Sequence, residues 1–531
     1  MTVSEFPSEG EGVAFTPFAE IIAGHADRRP DAVAFQVDER TLTWHALHRR
    51  AGRVANALRR ARVKPGDRVA LLGSASLAYV ECFFGTVAAR ACVVPLPVSA
   101  SVPTLEALLD DCGAKVLFVD LDADGAFADM AARRAARGLR VIPFGIDDGG
   151  DYTEWRDAAG TGDGALDPAR DDDPFNIIYS SGTTGLPKGI VHLHGMRQRQ
   201  ASRRGFFSTE ARTLLSTPMY SNTTIMPLLG TVAHGGACLL MRRFDAGRYL
   251  ALAARHRATH TMLVPVQYAR ILAHPDADTG GLASLQVSQC TGAPLDLALK
   301  RQILAQWPGR FIEVYGLTEG GVSCFLDAHA HPDKLDTVGR PGHGSEVFLI
   351  DASGRRLPPD AIGVAGEVVG RSPFMMAGYH RRPEATAEIR WLDEQGRVHH
   401  RSGDIGRFDA DGFLTLLDRI KDVIISGGHN IYAADLEAVL ARHEDVLDAA
   451  VIGVPSERWG ETPLALVTLR PGASVTPEAL RDWVNAQVGK TQRLSAVEWR
   501  DALPRSALGK LSKKALRAPY WASSTSHPMP S

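Results

Sequence analysis

Short apolar runs alternate with longer stretches of helical period from about residue 33 onward. DRVALLG (67–73) has strand length and turn residues at its ends, and the segment from about Ala78 to Arg90 carries the apolar spacing of a helix. ACVVPLP (91–97) and KVLFVD (115–120) read as further strands. Strands that alternate with helices predict an α/β protein with largely parallel sheets. Near residue 420 the texture changes. DRIKDVIISGGHNIYAADLEAVL passes from a charged turn through an apolar strand and a glycine pair into an amphipathic helix. DAAVIGVP and PLALVTLRP then read as strands and PEALRDWVNAQV as a short helix, which together make a compact unit of about a hundred residues. The expected division is 1–420, 421–521 and a disordered tail over 522–531, where the sequence has little to bury.

One uncharged run, Asn222 to Met241, is long enough to raise the question of a membrane span. Asn222, Pro227, Gly230, His234 and the pair Gly235–Gly236 interrupt it, so a buried helix followed by a turn is the better reading. At 531 residues more than one domain is expected. A net charge of -2 gives no global field to recruit nucleic acid or an acidic membrane. Cys82, Cys92, Cys112, Cys238, Cys290 and Cys324 are scattered without CxxC pairing and read as reduced core thiols. The opening MTVSEFPSEGEG is too acidic for a secretory leader, and a cytoplasmic location is expected.

Three polar clusters admit chemistry without requiring it. DPARDDDPF (167–175) could gather carboxylates around a metal, but adjacent aspartates in a proline-flanked loop usually face solvent. MRQRQASRRG (196–205) reads as a solvated helix face, with contact to an anionic ligand as the alternative. His192 and His194 would share a face of a strand and could hold a metal, yet no third ligand lies nearby in sequence.

FNIIYSSGTTGLPKG carries a different signal. A strand feeds a loop of glycines and hydroxyl residues that can aim successive N–H groups at phosphate oxygens, with Lys188 adding charge. It is not a Walker A loop, because Pro187 stands where the final glycine should be. Composition alone leaves a phosphate cradle and an ordinary turn equally open.

YSSGTTGLPKG strongly resembles the signature loop of the acyl-adenylate-forming enzymes, which include acyl-CoA synthetases, aryl-CoA ligases and adenylation domains. VYGLTEG (314–320), HRSGD (400–404), DRIKD (418–422) and LPRSALGK (503–510) resemble the family's further motifs, in the family's order. The likeness runs from about residue 33 to residue 520. It implies a large N-terminal domain of mainly parallel sheets with a β-barrel-like subdomain, and a small mobile α+β C-terminal domain. It also implies an ATP-dependent acid:CoA ligase, with ATP, Mg²⁺ and CoA as co-substrates and cofactor.

On that resemblance Ser180, Ser181, Gly182, Thr183, Thr184, Gly185 and Lys188 would hold the ATP phosphates, and Glu319 would ligate Mg²⁺. Tyr315, Gly316 and Thr318 would flank the nucleotide, while Asp404 and Arg419 would hold its ribose. Lys510, Glu319 and Thr184 would be the catalytic set, with Lys510 bridging the acyl carboxylate and the α-phosphate. Lys421 marks the hinge, after whose rotation Gly427 and Gly428 would line the pantetheine path. Tyr220, Ser221, Gly292 and Ala293 align with the acyl pocket. Ser221 departs from the histidine of many ligases. Met219–Thr224 contains no aspartate to pair with an ammonium, so a plain carboxylic acid, aromatic or medium- to long-chain, is preferred over an amino acid. An acyl-AMP ligase that loads a carrier protein is the first alternative, and a silent nucleotide-binding regulator is the second. No large insertion precedes the hinge and no carrier domain follows residue 521, which favours CoA. A homodimer is compatible with the sequence.

Overall fold

The computed structural model describes residues 14–145, 151–160, 167–180, 187–203, 205–277, 280–427, 429–505 and 511–522. It divides into two compact units. One comprises Met1–Leu335, Pro341–Glu346 and Gly370–His400, and the other Asp336–Arg340, Val347–Val369 and Arg401–Ser531.

The larger unit is built on two sheets. In the seven-stranded sheet, Arg68–Leu72 lies between Cys92–Leu96 and Val116–Asp120, and all three run parallel. These are the apolar runs legible in the sequence. Their residues are buried almost throughout, as a strand covered on both faces requires. Pro174–Ser180 joins parallel to Cys92–Leu96, then turns back antiparallel through Lys188–Leu193. The nine-stranded sheet runs parallel through Arg212–Leu215, His260–Leu263, Val287–Cys290 and Arg310–Gly316, which then pairs antiparallel with Ser323–Asp327. Helices Phe18–Arg28, Trp44–Arg60, Leu77–Ala88 and Asn222–His234 share one core with residues of both sheets. Leu77 to Val87 is buried on every side of its helix, which explains its lack of a polar face.

Asn222–His234 is the helix expected from the uncharged run. Ser221 caps it, Gly235 ends it at φ 78°, and strand Ala237–Leu240 follows. Among the described residues no helix is long and apolar enough to cross a membrane. All six cysteines are free and buried.

In the smaller unit, residues 404–408 of strand Val398–Phe408 pair antiparallel with strand Leu414–Arg419. A further sheet is built around Val446–Ser456 and Gly460–Leu469. Helices Ala433–Leu440 and Pro477–Asn485 contribute to one of its cores, and Lys513–Ala522 contributes Leu516 to another.

Candidate active site

Ligand sites in open α/β sheets gather at the carboxyl ends of the parallel strands. Here those ends are Ser180, Cys290 and Gly316, and each is followed by a segment rich in glycine or hydroxyl residues. Ser180 pairs with Lys188 across the antiparallel strands that bracket the YSSGTTGLPKG stretch in sequence. The Tyr179 hydroxyl fixes those strands by donating to Asp111 Oδ2 at 2.7 Å. Lys188 Nζ lies 5.0 Å from the centroid of the Tyr379 ring, and the Tyr379 hydroxyl donates to Glu319 Oε1 at 2.8 Å. A cation, a phenol and a carboxylate thus stand in sequence at the start of the Lys188 strand. Burial, helped by the Glu319 charge, pushes the Tyr379 phenol well above its ordinary range, so it remains a neutral donor.

The turn that carries Glu319 is set by two glycines. Gly320 and Gly321 have φ of 71° and 85°, which favour glycine. A Cβ on Gly320 would lie 2.0 Å from the Phe374 carbonyl oxygen, and one on Gly321 would lie 2.8 Å from that of Gly370. The Met376 N–H donates to the Glu319 carbonyl at 2.9 Å, which fixes the turn from the same side.

A buried network supports the preceding residue. His192 Nε2 donates to the Thr318 carbonyl at 2.7 Å, which leaves Nδ1 as the acceptor of the neutral ring. Nδ1 accepts from Arg197 Nη2 at 2.9 Å and from Asn176 Nδ2 at 3.2 Å. Burial, and then the Arg197 charge, hold the His192 pKa well below its ordinary value. Arg197 also donates to Asn176 Oδ1, Gln200 Oε1 and Asn222 Oδ1 at 2.9, 2.7 and 2.9 Å. It is fully buried without a carboxylate, and burial brings its pKa down to about 9, so it remains a cation at neutral pH.

A cleft of about 1050 Å³, counted out to its open mouth, runs along this network. Gly292, Gly316 and Thr318 border it, and Phe206, Phe325 and Phe374 supply aromatic walls. In the smaller unit, Asp404 and Arg419 face each other across paired strands, with Nε 2.9 Å from Oδ1. Asp404 is buried and so presents a desolvated carboxylate. Lys421 follows in a short 3₁₀ turn whose carbonyls at Lys421 and Asp422 accept from Arg517 at 2.7 and 3.1 Å. Burial lowers the Lys421 pKa.

A family model described as AMP-binding enzyme matches residues 22–380, and one described as AMP-binding enzyme C-terminal domain matches residues 435–510. The chain belongs to the AMP-binding enzyme family. It is 36% identical over 493 residues to a feruloyl-CoA synthase of an Amycolatopsis species, covering 92% of this chain and 96% of the relative. It is 32% identical to the fatty acid–[acyl-carrier-protein] ligase ScoC of Streptomyces coeruleorubidus, covering 94% and 96%. Among solved structures, ATP-bound MatB from Rhodopseudomonas palustris superposes with a TM-score of 0.85 at 28% identity, covering 94% of this chain and 99% of that one.

Within this AMP-binding enzyme, Lys188, Glu319, Thr318 and Gly316 converge on one turn-and-hairpin corner, and Asp404 meets Arg419. Tyr315 lies half-buried on the strand that leads to that turn, opposite Cys324. Ser181, Gly182, Thr183, Thr184, Gly185, Gly428 and Lys510 lie outside the described residues, as does the Ser180 side chain. Gly427 has φ 56°, and its N–H donates to the Trp459 carbonyl at 2.8 Å. Gly292 borders the cleft. Ser221 instead spends its hydroxyl on the Thr223 N–H at the helix cap. Tyr220 meets Ser99 through its hydroxyl at 3.3 Å, and Ala293 is half-buried beside Gly292.

The polar clusters resolve into structure. Asp173 pairs with Arg90, Asp171 with Arg199 and Asp172 with Arg170. His194 begins a helix and does not share a strand face with His192. No group of metal-ligand residues occurs among the described residues. Sequence reasoning missed Tyr379, whose partners Lys188 and Glu319 are remote in the chain, and considered His192 only as a metal ligand, whereas its ring supports the Thr318 carbonyl.

Proposed function

We propose that this chain is an ATP-dependent carboxylic acid:CoA ligase that works through an acyl-adenylate. One observation carries the reading. The cleft that can hold an acid is walled by Gly316 and Thr318, and the next residue in that turn is Glu319, backed by Tyr379 and Lys188. An acid in the cleft would therefore present its carboxylate beside the groups suited to a nucleotide's phosphates.

A carboxylate is a poor acyl donor until its oxygen becomes a good leaving group. Attack on the α-phosphorus of ATP releases pyrophosphate and gives the mixed anhydride, and a thiol then displaces AMP. Charge builds on phosphate oxygens during the first step, so placed cations and donors lower its barrier. Lys188 would neutralise the departing pyrophosphate, together with the hydroxyls and N–H groups of Ser180, Ser181, Thr183 and Thr184. Glu319 uses Oε1 for Tyr379, and Oε2 suits a hard cation such as Mg²⁺ travelling with ATP. Asp404 and Arg419 would hold the ribose, and Lys510 would bridge the carboxylate and the α-phosphate.

The similarity to a feruloyl-CoA synthase and the aromatic walls favour an aromatic acid. The ScoC relative supports the second reading, in which a carrier-protein thiol replaces CoA. A panel of aryl, medium-chain and long-chain acids, assayed for ATP-dependent AMP formation with and without CoA, separates the readings. Turnover and thioester that require CoA are expected. AMP formation indifferent to CoA and stimulated by a carrier protein would select the second reading.

A further inference from the structure

Three arginines of the stretch MRQRQASRRG have described side chains, and two are spoken for. Arg197 donates to four side chains, and Arg199 pairs with Asp171. Arg203 has neither arrangement. Its guanidinium carbon lies 4.0 Å from the centroid of the Phe374 ring and 5.1 Å from that of Phe325. Nη2 is buried without a hydrogen-bond partner, and the described residues offer the group no carboxylate. Arg203, Phe325 and Phe374 all border the cleft. Burial brings the Arg203 pKa down to about 10, so the group stays charged at neutral pH. A part-buried cation seated on two ring faces, with one buried donor left over, is an incomplete ion pair.

Its place along the cleft follows from strand register. Gly316 pairs with Ser323 and Val314 with Phe325, and all four residues line the cleft. Phe325 is thus two residues, roughly 7 Å, back along the strands from the turn where the acid would react. Arg203 reaches that part of the cleft over the Phe325 ring, 5.1 Å from its centroid. A plain alkyl chain reaching there would bury methyl groups against an unpaired cation, whereas a planar carboxylate would match the guanidinium fork.

We propose that Arg203 receives a second carboxylate on the acid, so that the cleft selects dicarboxylic acids over their neutral counterparts. This rests on the ligase reading. The spacer between the two carboxylates is either an alkyl chain or a ring, and the aromatic walls fit the ring.

The test measures kcat/KM for AMP formation with ATP and CoA, using diacids matched to their monomethyl esters. One arm uses aromatic diacids such as terephthalate and 4-carboxycinnamate, and the other uses straight-chain diacids of six to eight carbons. The wild-type enzyme should prefer a diacid by at least about tenfold, since a site built for a polar group rejects analogues that lack it. Arg203→Met should bring that ratio towards one, and Arg203→Lys should restore part of it. A wild-type ratio near one in both arms, with the esters turned over, would overturn the proposal and leave the ligase reading intact. So would a ratio that survives Arg203→Met. The wild-type ratio decides the matter even if the variant does not fold. If no acid in any arm yields AMP, the ligase reading fails and the proposal falls with it.

Discussion

Replacing Arg197 with Met tests how the site is held. The side chain is fully buried with no carboxylate partner, and it donates to Asn176, His192, Gln200 and Asn222. Gln200 and Asn222 border the cleft and can turn to water once the guanidinium is gone. Asn176 and His192 are 0% exposed and cannot. His192 Nδ1 keeps the bond from Asn176 Nδ2, so the stranded acceptor is Asn176 Oδ1, at a cost of about 1–3 kcal/mol. Removing a buried cation that has no counter-charge returns part of this, which leaves about 1–2 kcal/mol. At about 1–1.5 °C per kcal/mol for a unit of this size, Tm should fall by roughly 1–3 °C. His192 Nδ1 then accepts from Asn176 Nδ2 alone, which leaves less to hold the ring against the Thr318 carbonyl. Activity should therefore fall along with stability, as the turn before Glu319 loosens. Arg199→Met is the control. Arg199 pairs with a half-exposed Asp171, a contact worth about 1 kcal/mol or less. Differential scanning calorimetry and kcat/KM on both variants decide the matter. An Arg197→Met enzyme that melts no lower than wild type and keeps its kcat/KM would refute the reasoning.

Further outcomes follow from other residues. Tyr379→Phe removes the hydrogen bond to Glu319 Oε1 and should raise the Mg²⁺ concentration needed for half-maximal activity severalfold, with Tm little changed. An unaltered Mg²⁺ dependence would count against a role for Tyr379 in orienting Glu319. Lys510→Ala should abolish acid-dependent pyrophosphate release yet largely spare thioester formation from a preformed adenylate. Intact adenylation would remove Lys510 from its proposed role. His194 is buried with neither ring nitrogen bonded, and burial lowers its pKa from 6.5 to about 4. The unfolded chain therefore binds the proton first. The stability His194 allows is complete above pH 6.5 and is lost as pH falls towards 4, by up to about 3 kcal/mol. His194→Phe gives up no hydrogen bond, so its urea midpoint should gain on wild type steadily from pH 7 to pH 5; a constant difference would contradict this.

The α/β pattern was legible because strands covered on both faces must be apolar throughout, and Arg68–Leu72, Cys92–Leu96 and Val116–Asp120 are short and turn-bounded. Asp404 and Arg419 were legible as a pair because each sits in a recognisable stretch, and strand pairing then sets them opposite one another. The stretch 196–205 misled. Its arginines suggest a solvated face, but helix His194–Ala201 is buried for most of its length, and Arg197 finds its acceptors on other elements. Tyr379, His192 and the aromatic seat of Arg203 depend on contacts between distant segments, and no local period or spacing encodes those.

The central claim is that an acid and ATP react reversibly on this chain before any thiol takes part. Acid-dependent exchange of labelled pyrophosphate into ATP, measured without CoA, tests it most directly. The account predicts exchange with an accepted acid, none without acid, and severe loss in Asp404→Ala. Nucleotide binding with no exchange for any acid of the panel would contradict it.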